Sequence, residues 1–311
     1  MESRLRSRYF GLYDRSLKLC RPPSGEMSLA LPRTVNEKYA WRKLFDRDPR
    51  YRVIMDKIEA KAWVSERVPD LAIPQLHWSG DDPNAIPEEL LGGDRVLKPA
   101  HACAHILFLG KENLPPERLR ETAASFLAYR HGLDHDEWGY FNLPSRLLIE
   151  EDLNPHGPLE DLKVYVYGGH AVRLVRMRDR WGDIAAQLYE ADETGRLVLR
   201  PDLPASAAPR QFDAPRPATF DRAVDCALRL ARGFDHMRVD LVSNGETLWF
   251  GEMTTYSMCG YASHFGNDPD YSAAHHWDLR QSWFLRTPQK RMRLEVYRRL
   301  LRHVLNRESR M

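Results

Sequence analysis

Residues 237–254 read MRVDLVSNGETLWFGEMT, and this stretch decides how the fold is interpreted. Two runs rich in strand-forming residues, Met237–Val242 and Leu248–Glu252, flank the turn-forming pair Asn244-Gly245. Strand-type residues on both sides of an Asn-Gly pair are typical of a β-hairpin. The sequence therefore predicts two neighbouring antiparallel strands.

Two carboxylates and a hydroxyl lie on this predicted hairpin. Asp240 belongs to the first strand, whereas Glu252 and Thr254 belong to the second. Oxygen ligands of this kind bind hard cations such as Mg²⁺. A three-residue loop over residues 244–246 would put residues 238, 240, 252 and 254 on one face, but a two-residue turn would put Asp240 and Glu252 on opposite faces. The sequence leaves the register open, and with it the choice between a metal site and ordinary exposed acids.

Three lysines stand where an anion can be held. Lys98 ends the apolar run that begins at Val96, where a core strand meets a loop, and there its ammonium group can reach a phosphate. Lys57 and Lys61 are four residues apart on a predicted helix, so their side chains share one face. For each lysine, a solvated surface position is the alternative interpretation.

Residues 147–152 read LLIEED, an apolar strand that runs into acids. The backbone of such an edge can bond to an adenine and a carboxylate can bond to ribose hydroxyls, although a core strand ending in a solvated turn explains the pattern equally. The sequence has no GxGxxG, GxxxxGK[ST] or GxSxG motif. Their absence argues against Rossmann dehydrogenases, P-loop kinases and serine hydrolases.

Length and composition set wider limits. A chain of 311 residues with 43% hydrophobic and 29% charged residues suits a globular protein of one or two domains. No apolar run approaches the about 20 residues that a membrane-spanning helix needs, and no secretory signal is recognisable. The four cysteines lack zinc-ligand spacing, so we expect free thiols in a reducing cytoplasm.

Positive charge is concentrated at the two ends of the chain. Residues 1–22 hold six Arg or Lys against two acids, and residues 286–311 hold nine against two, although the net charge is only +2. Such basic ends can contact an anionic phospholipid surface or glycan, or can be ordinary solvated helix faces. An amphipathic C-terminal helix that docks on the core is predicted from Tyr297, Leu300, Leu301, Val304 and Leu305. No aromatic-interleaved basic motif is present, so nucleic acid is not expected as a partner.

Helical signals come first along the chain, and strands alternate with helices beyond them. Thr34 and Glu37 have the spacing of a capping box, and Pro49 is expected to interrupt the helix that follows. Helices are predicted to resume at residue 56 and to cover residues 116–131 and 221–232. Strands are predicted over residues 95–98, 105–109, 147–151, 163–167 and 170–175. This order indicates an α+β fold rather than a regular βαβ array.

The order of these motifs closely resembles that of the TupA-like ATP-grasp family, which is named for teichuronopeptide biosynthesis and is common in surface-polysaccharide gene clusters. The resemblance covers about residues 30–265. The segments that carry it are PRTVNEK (32–38), WRKLFDR (41–47), DK (56–57) with Lys61, VLK (96–98), LIEE (148–151), DLK (161–163), RVD (238–240) and FGEMT (250–254).

The resemblance implies an ATP-grasp fold, in which two α+β lobes hold ATP between them. It implies an N-terminal helical segment over residues 1–94, a small lobe over 95–160 and a large lobe over 161–311. The residues implied to bind ATP are Lys57, Lys61, Lys98, Glu150, Glu151, Asp161 and Lys163, with Lys61 and Lys98 on the phosphates, Glu150 and Glu151 at the adenine hinge, and a carboxylate there or at Asp161 near the ribose. The residues implied to bind Mg²⁺ are Asp240, Glu252 and Thr254.

One segment departs from the family pattern. After the strand lysine the family usually has His-Gly-Ser-Gly, a loop that folds over the phosphates, whereas residues 99–105 read PAHACAH. His101 keeps the histidine, but backbone approaches phosphate less easily without glycine. We therefore expect this loop to close differently.

The implied activity is ATP- and Mg²⁺-dependent amide formation from a small carboxylate and an amine through an acylphosphate, with Lys98 and Arg238 as catalytic residues. Arg176 and Arg178 are further candidates to clamp the carboxylate, and Tyr256 and His264 to line the acceptor pocket. The pathway would be that of a surface polysaccharide or peptide, or of a specialised metabolite. Two alternatives stay open: a phosphotransferase, and a non-catalytic nucleotide-binding scaffold in a glycan-assembly complex.

Overall fold

The computed structural model describes residues 28–112, 114–133, 136–179, 182–202, 210–260 and 271–308. Three helices come first: α1 (Val35–Phe45), α2 (Arg50–Met55) and α3 (Lys57–Arg67). The predicted capping box is present, because the Thr34 hydroxyl accepts from the Glu37 amide while the Glu37 carboxylate accepts from the Thr34 amide. The interruption at Pro49 is likewise present, since α1 ends before it and α2 begins immediately after it.

A four-stranded antiparallel sheet, the small sheet, follows. Its elements in chain order are β1 (Leu76–Gly80), β2 (Arg95–Pro99), β3 (Leu107–Phe108), α4 (Leu109–Glu112), α5 (Pro116–Ala128) and β4 (Leu147–Glu151), and the strand order is β1-β4-β2-β3. One face of this sheet packs against α5 through Leu97, Leu147, Ile149 and Leu119.

Three predictions for this region were wrong, two in the boundaries of an element and one in its type. The strand predicted over residues 105–109 is only two residues long, because α4 begins at Leu109. The helix predicted to reach His131 ends at Ala128. Residues 76–80, expected within a helical segment, form an edge strand of the small sheet.

A six-stranded antiparallel sheet, the large sheet, forms the second half. Its elements are β5 (Glu160–Tyr167), β6 (His170–Arg178), β7 (Ala185–Ala191), β8 (Leu197–Leu199), α6 (Phe220–Ala231), β9 (His236–Ser243) and β10 (Leu248–Thr254), and the strand order is β10-β9-β5-β6-β7-β8. The sequence analysis did not predict β7 and β8. Leu162 and Val164 of β5 are fully buried in one core with Ala227 and Leu230 of α6, which leaves the opposite face of the sheet for the site.

The chain ends with α7 (Ser272–His276), α8 (Trp283–Arg286) and α9 (Met292–Glu308). The predicted amphipathic helix is α9: Tyr297 and Leu301 are buried, and the Tyr297 hydroxyl accepts from the Trp41 indole at 2.8 Å. Leu300, expected on the docked face, is instead 61% exposed. Within the described ranges, no helix combines the length and the apolar character needed to cross a membrane. Short 3₁₀ segments cover Pro83–Ala85, Glu88–Leu90, Trp138–Tyr140, Asn154–His156, Ser257–Gly260 and Leu279–Gln281.

Candidate active site

A cleft of about 960 Å³ lies between the two sheets. Val96 and Lys98 line it from the small sheet, and Asp161, Lys163 and Asp240 line it from the large sheet. A volume of this size is typical of small-molecule sites. Of the residues implied to bind ATP, to bind Mg²⁺ or to be catalytic, only Thr254 is not in its lining, and Thr254 bonds to two residues that are.

The β9–β10 hairpin follows neither of the two registers that the sequence left open. Ser243 pairs with Leu248 across a four-residue loop, and the register shifts between Phe250 and Glu252. The shift makes Gly251 a β-bulge, so that Glu252 pairs with Asp240 and Thr254 pairs with Arg238. All four side chains consequently share the face that lines the cleft.

Gly251 is required at the bulge by a close backbone approach. A Cβ atom built there would lie 2.8 Å from the carbonyl oxygen of Asp240, which no real Cβ tolerates without a backbone shift. The glycine in FGEMT therefore has a structural reason that the sequence analysis did not identify.

Arg238 lies between the carboxylates. Its Nε donates to Asp240 Oδ1 at 2.6 Å, and its Nη2 donates to Asp240 Oδ2 at 2.8 Å. The same Nη2 donates to Glu252 Oε1 at 3.1 Å and to Thr254 Oγ1 at 3.0 Å. One cationic nitrogen thus contacts oxygens from all three predicted metal ligands.

Asp240 is a buried carboxylate held in its charged form. Burial by itself would raise its pKa, but Arg238 and Lys163 outweigh burial and lower the pKa to about 2. Lys163 donates to Asp240 Oδ2 at 2.6 Å from the neighbouring strand β5. Asp240 therefore presents a full negative charge to the cleft at neutral pH.

This donor set fits a hard divalent cation. Carboxylate and hydroxyl oxygens are the ligands that Mg²⁺ prefers, and here three of them already converge on one positive group. Within the described part of the chain, no cluster of three or more His, Cys, Asp or Glu could hold a metal by itself. Mg²⁺ is commonly held by one or two carboxylates and takes its other ligands from phosphates and water.

The opposite wall carries two lysines around one acid. Lys98 Nζ donates to Glu150 Oε1 at 2.6 Å, and Lys61 Nζ lies 2.7 Å from Glu150 Oε2. Burial would raise the pKa of Glu150, but the two ammonium groups outweigh it and lower the pKa to about 2. The three groups form a charged cluster with one excess positive charge.

The two predicted hinge acids face different surroundings. Glu150 points toward the lysines, because it shares a sheet face with Lys98 and Val96. Glu151 lies at the end of β4, where it accepts from the Gln75 amide at 3.1 Å and bonds to His156 Nε2 at 2.7 Å. The sequence analysis treated the pair as one unit, although adjacent strand residues point to opposite faces.

The loop after β2 is held in place by hydrogen bonds on both sides. The Lys57 amide donates to the Ala100 carbonyl at 3.0 Å, and Lys57 Nζ donates to the Ala102 carbonyl. Burial is the main cause that lowers the pKa of Lys57. His101 is buried and bonds to the Tyr129 carbonyl at 3.1 Å, outside the lining of the cleft. Ala104 has a φ of +62°, which is the left-handed conformation that glycine favours. It stands at the position of the second glycine in the family's His-Gly-Ser-Gly motif.

An apolar wall completes the cleft, and the sequence analysis missed it. Val175 and Met177 of β6 pack with Ala186 and Leu188 of β7, and the first three line the cleft near Val96. Such a surface suits a flat aromatic ring. The signal available was the alternation in β6, where apolar Val175 and Met177 lie two residues apart.

Several other candidates lie elsewhere. Arg176 is buried against Glu160, to which its Nε donates at 2.7 Å, and Arg178 also bonds to Glu160. Neither arginine lines the cleft, unlike Arg238. Tyr256 is buried outside the lining. His264 lies outside the described residues.

Comparison with known proteins assigns this architecture to a family. Two antiparallel sheets enclose a cleft, with Lys61 and Lys98 on one wall and Asp240 and Glu252 on the other. The model of the TupA-like ATP-grasp family matches residues 37–273, more than half of the chain. The chain therefore belongs to the TupA-like ATP-grasp family, which confirms the expected family and fold class.

Similar solved structures include the ATP-grasp ligase PsnB complexed with a phosphomimetic variant of its minimal precursor, Mg and ADP, at 16% identity and a TM-score of 0.41, covering 74% of this chain and 61% of that chain. D-alanine–D-alanine ligase from Bacillus anthracis complexed with ATP is 17% identical with a TM-score of 0.37, covering 65% of this chain and 54% of that chain. The Helicobacter pylori D-alanine–D-alanine ligase is 9% identical with a TM-score of 0.43, covering 78% and 67%. The chain spans 54 to 62% of the length of the PsnB structures. No curated protein matches the chain significantly.

Proposed function

We propose that this protein is an ATP- and Mg²⁺-dependent carboxylate–amine ligase, which forms an amide through an acylphosphate. The observation that carries the proposal is the convergence of Asp240, Glu252 and Thr254 oxygens on one cationic nitrogen of Arg238. This arrangement faces Lys61 and Lys98 across a cleft of nucleotide size. Membership of the ATP-grasp family supplies the nucleotide.

In this proposal ATP lies with its adenine against the apolar wall and its phosphates between the lysines and Asp240. Lys61 and Lys98 now neutralise Glu150, and a triphosphate would take over part of that pairing. Glu150 thereby keeps both ammonium groups aimed at the cleft when no nucleotide is bound. Asp161 is the carboxylate that we assign to the ribose, since it lines the cleft two residues before Lys163, on the same face of β5.

The residues Asp240, Glu252 and Thr254 would hold Mg²⁺, which when bound neutralises charge on the phosphates. The Arg238 guanidinium must then move away from the point at which the oxygens of these three residues converge. Its guanidinium is the group best placed to turn toward a substrate carboxylate, because two parallel N–H donors match two carboxylate oxygens. Arg238 therefore exchanges internal carboxylates for a substrate carboxylate as the site fills.

The reaction balances as two substitutions. A substrate carboxylate oxygen attacks the γ-phosphorus, the bond from that phosphorus to the bridging oxygen breaks, and ADP leaves. The amine nitrogen then attacks the acyl carbon, phosphate leaves with the bonding electrons, and the nitrogen loses a proton. The products are an amide, ADP and inorganic phosphate. The identity of the carboxylate and the amine, and a place in surface polysaccharide, peptide or specialised metabolite synthesis, belong to the proposal.

The exposed face of α9 is suited to binding at an anionic membrane surface. Met292 is 82% exposed, Val296 52% and Leu300 61%, and they follow one another at i, i+4 and i+8 on one exposed face. Exposed arginines flank this stripe at residues 293, 299, 302 and 307. A stripe of apolar groups edged by cations is complementary to an anionic lipid surface. In this proposal the protein works in the cytoplasm and makes peripheral membrane contact through this helix. The other basic end, residues 1–22, lies outside the described residues.

The test is Mg·ATP turnover with a panel of amino acids and amino sugars, in which ADP and inorganic phosphate are both quantified. Glu252→Gln should abolish turnover, because it removes a negative charge from the cation site. Glu246→Gln, on the exposed loop of the same hairpin, is the matched control and should keep wild-type turnover.

The products separate the alternatives. Equal ADP and phosphate release that depends on substrate and is lost in Glu252→Gln supports the ligase. ADP with a phosphorylated product and no free phosphate would replace it with the phosphotransferase. ATP binding without turnover on any pair would favour the nucleotide-binding scaffold.

A further inference from the structure

A cysteine, a histidine and a glutamate meet behind the loop that follows β2. Cys103 Sγ lies 3.0 Å from His131 Nε2, and the same nitrogen lies 3.5 Å from Glu137 Oε2. The side chains of His131 and Glu137 are only 9% and 5% exposed, whereas Cys103 is half-buried and lines the cleft. The thiol therefore opens toward the cleft while its two partners lie behind it.

The chemistry of this cluster is that of a thiol beside a cationic imidazole. Burial would lower the pKa of His131, but its bonds to Cys103 and Glu137 outweigh burial and raise the pKa to about 9. At neutral pH His131 is consequently an imidazolium, whose N–H faces both the sulfur and the carboxylate. An imidazolium beside a sulfur is the arrangement that activates cysteine nucleophiles.

Other charged groups surround the same point. Lys57 of α3 interacts favourably with Cys103, and Tyr140 packs its ring edge-on to His131 at 4.5 Å. His105 Nδ1 bonds to the Cys103 carbonyl at 2.9 Å. Glu137 also faces the pair, as does Tyr129, whose ring centroid lies 6.0 Å from that of His131. Lys57 thus adds a second positive charge near the sulfur, beside the His131 imidazolium.

The contrast with another cysteine shows that this environment is not ordinary packing. Cys226 of α6 is 0% exposed and belongs to the large apolar core. Cys103 instead stands on a loop fixed by hydrogen bonds on both sides, at the position where the family has serine. Its sulfur is held at a defined point of the cleft wall.

We propose that Cys103 is a reactive thiol site, which exchanges with small disulfides, and that this modification and nucleotide binding exclude each other. The Cys103 sulfur gives up its proton to water and attacks one sulfur of the disulfide R–S–S–R, while the His131 imidazolium stabilises the negative charge on the attacking sulfur. The S–S bond of the reagent breaks, a mixed disulfide forms on Cys103, and the second sulfur leaves as a thiolate. The adduct then fills the cleft beside Lys57 and Lys98. The exclusion rests on the proposed ATP site, whereas the thiol chemistry does not.

The full chain is treated at pH 7 with 5,5′-dithiobis(2-nitrobenzoate), and the modified cysteine is identified by peptide mass spectrometry. Cys103 should react first, and Cys103→Ser should abolish the fast phase while Cys259→Ser, the control, retains it. Loss of the cation beside the attacking sulfur should slow the exchange about threefold, because the negative charge on the sulfur is then less stabilised. His131→Gln should slow the fast phase by that factor, and Glu137→Gln is a second variant if His131→Gln does not fold.

Saturating ATP should slow the fast phase at least fivefold. The proposal of a reactive thiol would be refuted if Cys103 were labelled no faster than Cys259. It would also be refuted if the fast phase were unchanged in both His131→Gln and Glu137→Gln. Fast labelling that ATP does not slow, in a protein shown to bind ATP, would overturn the exclusion alone. Failure to bind ATP at all would refute the proposed function. The reactive thiol would then be judged only by whether the labelling of Cys103 depends on His131.

Discussion

Replacing Gly251 by alanine should damage both the fold and the site, because the bulge at Gly251 brings Asp240 and Glu252 together. The new Cβ would lie 2.8 Å from the Asp240 carbonyl oxygen, about 0.6 Å closer than the 3.4 Å at which ordinary contacts begin. The oxygen belongs to a central strand and cannot rotate away. Overpacking of this kind costs about 1–3 kcal/mol of unfolding free energy.

The strands must separate by about half an ångström to relieve the contact, and the two carboxylates separate with them. Since a displacement of about 1 Å in a catalytic site costs about 100-fold in rate, we expect turnover to fall by roughly tenfold or more. Urea unfolding measures the first effect and ADP release the second. Gly92→Ala is the matched control, because a Cβ at Gly92 meets nothing within 4 Å.

Wild-type stability and turnover in Gly251→Ala would refute the claim that a close approach at the bulge sets the geometry of the site. Loss of stability with unchanged turnover would refute only the link from the bulge to the carboxylate pair.

Two further predictions concern the ion pairs of Glu150 and the exposed apolar face of α9. The pKa of Glu150 falls from its ordinary 4.5 to about 2 in the folded protein, so its contribution to stability is complete above pH 4.5 and is lost as the pH falls toward 2. Between pH 6 and pH 3 the wild type should lose about 2 kcal/mol more unfolding free energy than Glu150→Gln, and parallel losses in urea unfolding would contradict the pairing. On the surface, the combined variant Met292→Ser, Val296→Ser and Leu300→Ser should sediment about fivefold less with phosphatidylglycerol-containing vesicles, whereas Leu133→Ser, at another exposed apolar residue, should match the wild type. Lipid would be rejected as the partner of this face if all three proteins sedimented equally. It would also be rejected if the wild type associated with itself and the combined variant abolished that association.

Much of the local structure could be predicted because it depends on neighbours in sequence. The capping box at Thr34 needs only a side chain and an amide three residues later, and the strand Leu147–Glu151 was predicted with its observed limits. Strands β7 and β8 were missed. Glu190 and Gln187 of β7 are buried because they bond to Arg173 and Arg176 of β6. These polar residues interrupt the apolar pattern by which a buried strand is recognised in a sequence.

The site was predictable in its residue types and not in its pairings. The sequence identified Lys61, Lys98 and Glu150 separately, but it placed Glu150 at the adenine hinge with Glu151. Only the pairing of β2 with β4 puts Glu150 on the same face as Lys98, within 2.6 Å of its ammonium group. The apolar wall of the cleft likewise requires β6 beside β7, which no local pattern specifies.

By itself the sequence determined the family, the α+β class and the hairpin that carries Asp240 and Glu252, since these follow from motif order and short-range patterns. The tertiary structure decided the register of that hairpin, because a four-residue loop and a bulge at Gly251 together fix which side chains share a face. It also decided that Arg238 lies among the carboxylates and that Cys103 meets His131. Each of these depends on distances between segments that are remote in sequence, and a linear pattern does not contain those distances.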